Sequence, residues 1–266
     1  MARPPKYQCN ESYFSKISTP NQAYILGFIW ADGSLNQRSG LSIAIKTLDK
    51  SVLEFILKQT QSNLPIKDYS IKQFGYSKLS INRLAIYNDL VKLGLGSNKS
   101  QNNAPIPNFL TADLESHFLR GLFDGDGSIW KASGYKANFS GGLDFLKWVE
   151  SLLNKSSITC NPIRFRYGKD KPNSCMLDIS GQDNIVKLSQ FLYRDSEFHL
   201  ERKYQRFLDA IQHYEKLNQN NWQLNGNNAK VAELFKQGKK AREIADLLNL
   251  NHNSVRNCIG KLKMSG

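Results

Sequence analysis

Two apolar, helix-length segments of this chain end in the same way. "YILGFIWADGSL" begins at Tyr24 and "FLRGLFDGDGSI" begins at Phe118, and both run into Asp-Gly-Ser. Asp32 and Asp126 therefore occupy matching positions 94 residues apart. Because the first segment is apolar nearly all round, its helix has to be buried. A fold for this chain must accommodate two such helices, each with a carboxylate at its end.

Each of these helices contains a glycine, a residue that costs about 1 kcal/mol relative to alanine inside a helix. Gly27 is followed four residues later by Ala31, and Gly121 by Gly125. Small residues at that spacing share one face of a helix and allow a second helix backbone to come close. We therefore expect the two helices to pack together about a pseudo-twofold axis, with their carboxylates side by side.

Two carboxylates at neighbouring helix C-termini repel each other and the partial negative charge of the helix ends. A divalent cation between them would relieve both effects. Such oxygen ligands suit Mg²⁺, which takes one or two carboxylates and keeps several waters. Such a cation can activate water and stabilise the charge of a phosphoryl transition state. The alternative is that each Asp-Gly pair only ends its helix in a turn.

The composition points to a polyanionic partner. Thirty-six Lys and Arg residues against 23 Asp and Glu give a net charge of +13, which favours nucleic acid. No apolar run reaches the roughly 18 residues that span a bilayer, so no membrane partner is expected. Without an apolar signal core near the start, we expect an intracellular, non-secreted protein, in a bacterial or phage cytoplasm or an organelle. The scattered cysteines indicate free thiols and neither disulfides nor a zinc site: Cys9, Cys160, Cys175 and Cys258.

The order of predicted elements repeats along the chain. Thr19, Pro20 and Gln22 open the first helix with a capping box, and strand pair, helix, strand pair and helix follow. After a polar linker the same order starts again. We therefore divide the chain into an N-terminal half at 1–104, a C-terminal half at 105–218 and a small helical module at 225–266. The polar stretch 218–228 is predicted to be a tether.

The segments "ILGFIWADG" and "LRGLFDGDG" resemble the two signature motifs of single-chain LAGLIDADG homing endonucleases, and the resemblance extends over residues 12 to 217. It implies an α+β fold of two pseudo-symmetric αββαββα halves. Each half would contribute a four-stranded antiparallel sheet to a saddle over DNA, with the motif helices between the halves. The implied activity is sequence-specific hydrolysis of both strands of double-stranded DNA, at a long, non-palindromic site, by a monomer.

The resemblance also implies a metal site. The last Asp of each motif is the family's metal ligand, which assigns that role to Asp32 and Asp126. The carbonyls just before them, of Ala31 and Gly125, are further ligands. Mg²⁺ is the expected cofactor, with Mn²⁺ as a substitute and Ca²⁺ as an ion that binds without supporting cleavage. An earlier Asp of the motif is absent from the first half, where Trp30 stands in its place.

Basic residues near the metals are a further feature of the family. Lys46, at the end of the second strand, and Arg83, at the end of the fourth, are the catalytic candidates in the first half. The counterparts near 140–141 and 180–181 are not basic, so Lys169 or Lys171 could substitute from a loop. Polar residues on the DNA side of the strands are candidates for binding DNA: Asn36, Gln37, Arg38, Ser42, Lys72, Lys78, Lys131, Lys136, Arg164, Arg166 and Lys169.

The C-terminal segment "REIADLLNLNHNSVRNCIGKL" has the pattern of a helix-turn-helix. Ala245 fits the tight contact of its first helix, and Asn249 stands where the turn needs a left-handed residue. Val255 and Ile259 would pack inside, so that Asn253 and Arg256 face the major groove of DNA. The alternative is a helical hairpin that only packs.

Two other functions remain open. Some bacterial transcription factors join a domain similar to the LAGLIDADG family to a helix-turn-helix, but have lost the metal-binding acids. Both acids are present here, which favours the nuclease over such a non-cleaving regulator. A maturase that assists the splicing of an intron RNA is the third hypothesis.

Overall fold

The computed structural model describes residues 6–96, 106–167 and 173–264. Contacts divide the chain into two compact units, 1–207 and 208–266. The first repeat contains helices α1 (Pro20–Asp32), α2 (Ser51–Gln59) and α3 (Leu84–Lys92), with a 3₁₀ turn at Thr47–Asp49. Its strands are β1 (Gly33–Asn36), β2 (Gly40–Lys46), β3 (Lys67–Ile71) and β4 (Phe74–Ile81).

The second repeat has the same order of elements. Its helices are α4 (Ala112–Asp126), α5 (Leu143–Lys155) and α6 (Gln182–Tyr193). Its strands are β5 (Ser128–Lys131), β6 (Tyr135–Gly141), β7 (Arg164–Phe165) and β8 (Cys175–Ser180). Three helices follow: α7 (Glu201–Lys236), α8 (Ala241–Leu248) and α9 (His252–Met264).

The two repeats form sheets of identical topology. The strand orders are β1-β2-β4-β3 and β5-β6-β8-β7, and every pairing is antiparallel. In β2, buried Leu41, Ile43 and Ile45 alternate with more exposed residues, so one face of the sheet covers the core and the other is open. The predicted α+β class and the repeated αββαββα order are therefore confirmed.

Helices α1 and α4 form the central contact between the repeats, as the small residues predict. A Cβ atom on Gly27 would lie 2.0 Å from the Phe118 carbonyl oxygen, and one on Gly121 would lie 1.9 Å from that of Tyr24. Any side chain at either position would overlap the opposite backbone. The glycines that weaken each helix in isolation therefore permit the contact between them.

The start of α1 also follows the sequence prediction. The Gln22 backbone N–H donates to Thr19 Oγ1 at 3.2 Å, and the Thr19 N–H donates to Gln22 Oε1 at 3.1 Å. Together with Pro20 in the first turn, this capping box fixes the beginning of the helix.

The predicted tether at 218–228 is wrong, because the backbone of α7 remains helical through that stretch. The segment lacks proline, and extending an existing helix costs far less than nucleating a new one. Its asparagines gave no sign of this, since they favour turns when they are considered alone. Strand β7 is also shorter than its alternating pattern suggests, and Arg166 lies beyond its end.

Candidate metal centre and nucleic-acid face

Asp32 and Asp126 are the last residues of α1 and α4, and both helix ends lie in the interface between the repeats. A Cβ atom on Gly125 would be 2.3 Å from Cβ of Ala31 and 3.2 Å from Oδ2 of Asp32. The Asp32 carboxylate therefore lies against the end of the opposite motif. Asp32 is half-buried and Asp126 is exposed. The expected juxtaposition of the two motif ends is present.

A buried lysine from α7 holds the end of the second motif. Lys203, only 5% exposed, directs its ammonium group at three backbone carbonyl oxygens. The distances are 2.6 Å to Phe123, 3.1 Å to Gly125 and 2.7 Å to Gly127. An ammonium group has three N–H donors, and each carbonyl accepts one of them. Lys203 thus offsets the partial negative charge at the C-terminus of α4.

Burial lowers the pKa of Lys203 to about 8, and the nearby carboxylates of Asp124, Asp32 and Asp126 act in the opposite direction. The Gly125 carbonyl, one of the expected metal ligands, already accepts a hydrogen bond from this lysine. The ammonium group of Lys203 and the carboxylates of Asp32 and Asp126 therefore lie near one another at the end of the second motif.

Replacing Lys203 with methionine should lower the free energy of unfolding by about 3 kcal/mol. Methionine keeps the apolar length of the side chain but leaves buried carbonyl oxygens without their donor. Chemical denaturation measures the effect. Lys147→Met on the exposed side of α5 is the matched control and should change stability by less than about 0.5 kcal/mol. Equal stability of the two variants would contradict the role given to Lys203.

The preceding residue of α7 connects the two repeats. Arg202 donates from Nε and Nη2 to the two carboxylate oxygens of Asp49, at 2.7 and 2.8 Å. Asp49 belongs to the 3₁₀ turn of the first repeat and is buried. Such a bidentate pair fixes both position and orientation. The first turn of α7 is therefore bonded to the first repeat by Arg202 and to the second by Lys203.

The two motifs differ at the position two residues before the final carboxylate. Asp124, 1% exposed, accepts hydrogen bonds from the hydroxyls of Tyr24 and Tyr193 at 3.1 and 2.9 Å and from the Leu200 N–H at 2.8 Å. Burial raises the pKa of this carboxyl, although these donors oppose the shift. The corresponding Trp30 is buried and packs edge-on against Phe118, with ring centroids 5.5 Å apart. The interface is therefore asymmetric, as the sequence indicates.

A buried guanidinium lies one turn before Asp124. Arg120 donates to Nδ1 of His117 at 2.7 Å and to the carbonyl oxygens of Leu192 and Phe198, each at 3.1 Å. Because a guanidinium can only donate, Nδ1 of His117 has to be the acceptor, and the imidazole is neutral. Burial lowers the pKa of His117, and the Arg120 charge lowers it further.

This pair predicts a pH dependence of stability. The pKa of His117 in the fold lies below its value of 6.5 in the unfolded chain, so the unfolded state binds more protons as the pH falls. The stabilisation of the fold by neutral His117 is therefore complete above pH 6.5 and is lost as the pH falls through the lower pKa of the folded state. His117→Asn, whose amide oxygen can replace Nδ1 as acceptor, should lose less stability between pH 7 and pH 5 than the wild type. Identical losses in denaturant titrations would refute this assignment.

The two first-repeat basic candidates lie in different surroundings. Lys46 ends β2 and is exposed, with Nζ 5.9 Å from the centre of the Phe74 ring. Arg83 is half-buried and bonded to the N-terminal segment, through Nε to Glu11 at 3.0 Å and Nη2 to the Tyr7 carbonyl at 2.6 Å. The catalytic roles of both stay predictions. The contacts of Arg83 attach the N-terminal segment to the end of the first sheet.

The open face of the first sheet carries several of the predicted DNA-binding residues. Register pairs Ser42 with Ser80, and Ala44 with Lys78, so Ser42, Lys46 and Lys78 lie on one side. Asn36 ends β1 on the same face, and its Oδ1 accepts the backbone N–H of Arg38 at 2.9 Å. The remaining candidates are exposed in the two hairpin turns: Gln37, Arg38 and Lys72.

The second sheet presents fewer free charges. Lys136 lies on its open side in register with Trp130 and Ser180. Arg164, on β7, donates from Nε to Asp178 at 2.6 Å, which neutralises its charge. Lys131 pairs with Tyr135 and alternates to the other side from Lys136. Arg166 is exposed beyond β7, whereas Lys169 and Lys171 lie outside the described residues.

The second unit has the geometry expected of the C-terminal segment. Asn249 ends α8 in the left-handed conformation, with φ of 49° and ψ of 47°. Ala245, Val255 and Ile259 are buried in a small core together with Ile244 and Val231. Asn253 and Arg256 are exposed on α9. Two helices therefore meet at Asn249, while their assignment as a DNA-binding helix-turn-helix stays a prediction.

Three basic residues at the start of α7 were not predicted from the sequence to be part of the site: Arg202, Lys203 and Arg206. "ERKYQRF" reads as the first turns of an amphipathic helix, and nothing in its spacing connects it to a motif 75 residues earlier. The only available signal was a lysine on the side of the helix that also carries Phe207.

No membrane-spanning helix occurs in the described parts of the chain, since none of their helices combines the necessary length and apolar character. Within the same residues, no three or more His, Cys, Asp or Glu side chains gather into a metal-binding group.

Comparison with known proteins was informative only at the level of structure. No protein-family model and no curated protein matches the sequence. Meganuclease I-SmaMI bound to uncleaveable DNA is 16% identical, with 77% of this chain and 91% of that chain covered and a TM-score of 0.52. LAGLIDADG meganuclease I-AabMI bound to uncleaved DNA is 13% identical, with coverages of 76% and 92% and a TM-score of 0.50.

A third similar structure is full-length DUF199/WhiA from Thermatoga maritima. It is 15% identical and covers 95% of this chain and 94% of that chain, with a TM-score of 0.47. At 13% and 16% identity, the two meganucleases are similar to this chain in fold. The chain therefore has the two-repeat LAGLIDADG fold.

Proposed function

We propose that this protein is a metal-dependent endonuclease that recognises and cuts a specific sequence in double-stranded DNA. The observation that carries the proposal is the contact of α1 with α4, which brings the ends of both motifs together with Asp32 against Gly125. Two acids at adjoining helix C-termini are electrostatically unfavourable unless a cation is bound between them. Such local conflicts tend to mark functional sites.

The donor set fits Mg²⁺ better than a metal held entirely by protein. Asp32 and Asp126 supply two carboxylates, and the Ala31 carbonyl is a further candidate ligand. Mg²⁺ binds through one or two carboxylates and fills its other positions with water and substrate phosphate. Mn²⁺ should substitute, and Ca²⁺ should bind without supporting cleavage. When bound, the ion supplies charge stabilisation at the phosphate and lowers the pKa of water.

The residues of the chain have separate tasks in this proposal. Asp32 and Asp126 hold the cation, and Lys203 fixes the backbone of the second motif. Lys46 is placed to neutralise a phosphate from the open face of the first sheet. The polar faces of both sheets contact the long target, and their unequal charge suits a non-palindromic site bound by a monomer.

The second candidate function is that of a DNA-binding regulator that does not cleave, and features of the second unit, residues 208–266, favour it. The turn at Asn249 and the exposed Asn253 and Arg256 of α9 match a module that binds the major groove. In the nuclease, this module would lengthen the contacted site and raise the local concentration of the cutting unit. Retention of both acids favours the nuclease.

Cleavage selection separates these candidates. Purified protein is incubated with a randomised or genomic DNA library in Mg²⁺ and, separately, in Ca²⁺, and the ends are sequenced. Defined ends with 3′ overhangs in Mg²⁺ alone are the expected result. If fragments are enriched but remain uncut in both ions, the protein is a non-cleaving DNA-binding regulator and not a nuclease. Absence of any DNA enrichment would favour an intron RNA as partner.

A further inference from the structure

A pocket of about 270 Å³ adjoins the end of the second motif. Gly127, Ser128 and Ile129, which follow Asp126 directly, line one side of it. The other side consists of the basic side chains of α7, namely Arg202, Lys203 and Arg206. Half of the lining residues are therefore cationic, and none of the six is acidic.

Two of these cations are fixed by partners of their own. Lys203 commits its three donors to backbone carbonyls, and Arg202 commits Nε and Nη2 to Asp49. Both side chains are thus held in place at the pocket wall, and Asp49 balances the charge of Arg202. A polar group that is already held in place loses little side-chain entropy when a ligand binds.

Arg206 differs from both neighbours. It lies one helical turn after Arg202, so the two side chains share a face of α7. It is exposed, and no hydrogen bond or ion pair engages it among the residues that the structure describes. Its planar fork of donors matches the geometry of a phosphate oxygen pair. The exposed hydroxyl of Ser128 adds a neutral donor on the opposite side.

We infer that this pocket binds a phosphate of the DNA backbone and that Arg206 is the side chain that contacts it. The inference rests on the proposed function, because the position beside Asp126 identifies the anion as part of a nucleic acid. A phosphodiester carries one negative charge, to which Arg206 donates directly and which the charge of Lys203 attracts.

The first experiment requires neither metal nor cleavage. Protein labelled with ¹⁵N-arginine is titrated with a short DNA duplex in metal-free buffer, and side-chain Nε–H resonances are followed by NMR. The Arg206 signal, identified by its loss in Arg206→Gln, should shift as the duplex binds. Arg194, exposed at the end of α6 and beside Asp195, is the matched control and should not shift. A stationary Arg206 signal at saturating duplex would overturn the inference.

The second experiment measures the salt dependence of duplex affinity. Loss of one phosphate contact should reduce the slope of log K against log salt by about 0.9 in Arg206→Gln and leave it unchanged in Arg194→Gln. Unchanged slopes in both variants would also overturn the inference. If cleavage depends on Asp32 and Asp126 but not on Arg206, the phosphate-binding role of Arg206 is rejected and the nuclease is retained. If the Arg206 resonance shifts but the protein cuts no DNA, the nuclease is rejected and the phosphate-binding role is retained.

Discussion

Asp32→Asn and Asp126→Asn should each reduce double-strand cleavage roughly 10³-fold or more, while DNA affinity changes little. Asparagine preserves the size of the side chain but removes the charge that, in the proposed function, would hold a divalent cation at the motif ends. Loss of several kcal/mol of metal-derived stabilisation corresponds to a rate loss of that order. The affinity is retained because the sheet faces, and not the two acids, supply most of the expected DNA contacts.

The measurement is linearisation of a plasmid that contains the selected site, with filter binding in Ca²⁺ as the parallel assay. Asp144→Asn, on the exposed side of α5 and paired with Lys147, is the control and should cut normally. If either motif variant cuts at the wild-type rate, the paired carboxylates are not the metal site. If affinity falls together with cleavage, the acids support the fold and not the chemistry.

Gly121→Ala should destabilise the protein by about 4 kcal/mol or more, or prevent folding. The new Cβ would lie 1.9 Å from the Tyr24 carbonyl oxygen and 2.8 Å from the Phe28 nitrogen. Both neighbours are backbone atoms of α1, so no rotamer change can relieve the overlap. The two central helices would have to separate, which disturbs the core of both repeats.

Denaturant unfolding followed by circular dichroism tests this expectation. Gly260→Ala is the matched control, because Gly260 is exposed within α9 and a Cβ there would meet nothing within 4 Å. Removing a helical glycine at that position should be neutral or stabilising by up to about 1 kcal/mol. A Gly121→Ala protein as stable as the wild type would show that the α1–α4 contact tolerates separation.

The sequence predicted the features that rest on local patterns. Alternating apolar residues located the strands, the Thr19 capping box located the start of α1, and the small residues at 27, 31, 121 and 125 predicted a close helix pair. Asn249 predicted the left-handed turn because few residues adopt that conformation readily. Each of these signals lies within a few residues of the feature that it specifies.

The remainder depends on contacts that are distant in sequence. Lys203 reaches carbonyl groups of α4 about 80 residues earlier, and Arg202 reaches Asp49 over 153 positions. No local sequence pattern distinguishes Lys203 or Arg202 from other basic residues on an amphipathic helix. Continuation of α7 through an asparagine-rich segment was also unpredictable from local propensity, because asparagine favours turns when it is considered alone.

A crystal structure of the protein on its selected DNA site with Mn²⁺ tests the central claim most directly, since anomalous scattering locates the ions without ambiguity. We predict divalent ions at the ends of α1 and α4, within about 2.0–2.3 Å of carboxylate oxygens of Asp32 and Asp126 and of the scissile phosphates. Bound DNA without metal at either carboxylate, or with metal held only elsewhere, would contradict the account.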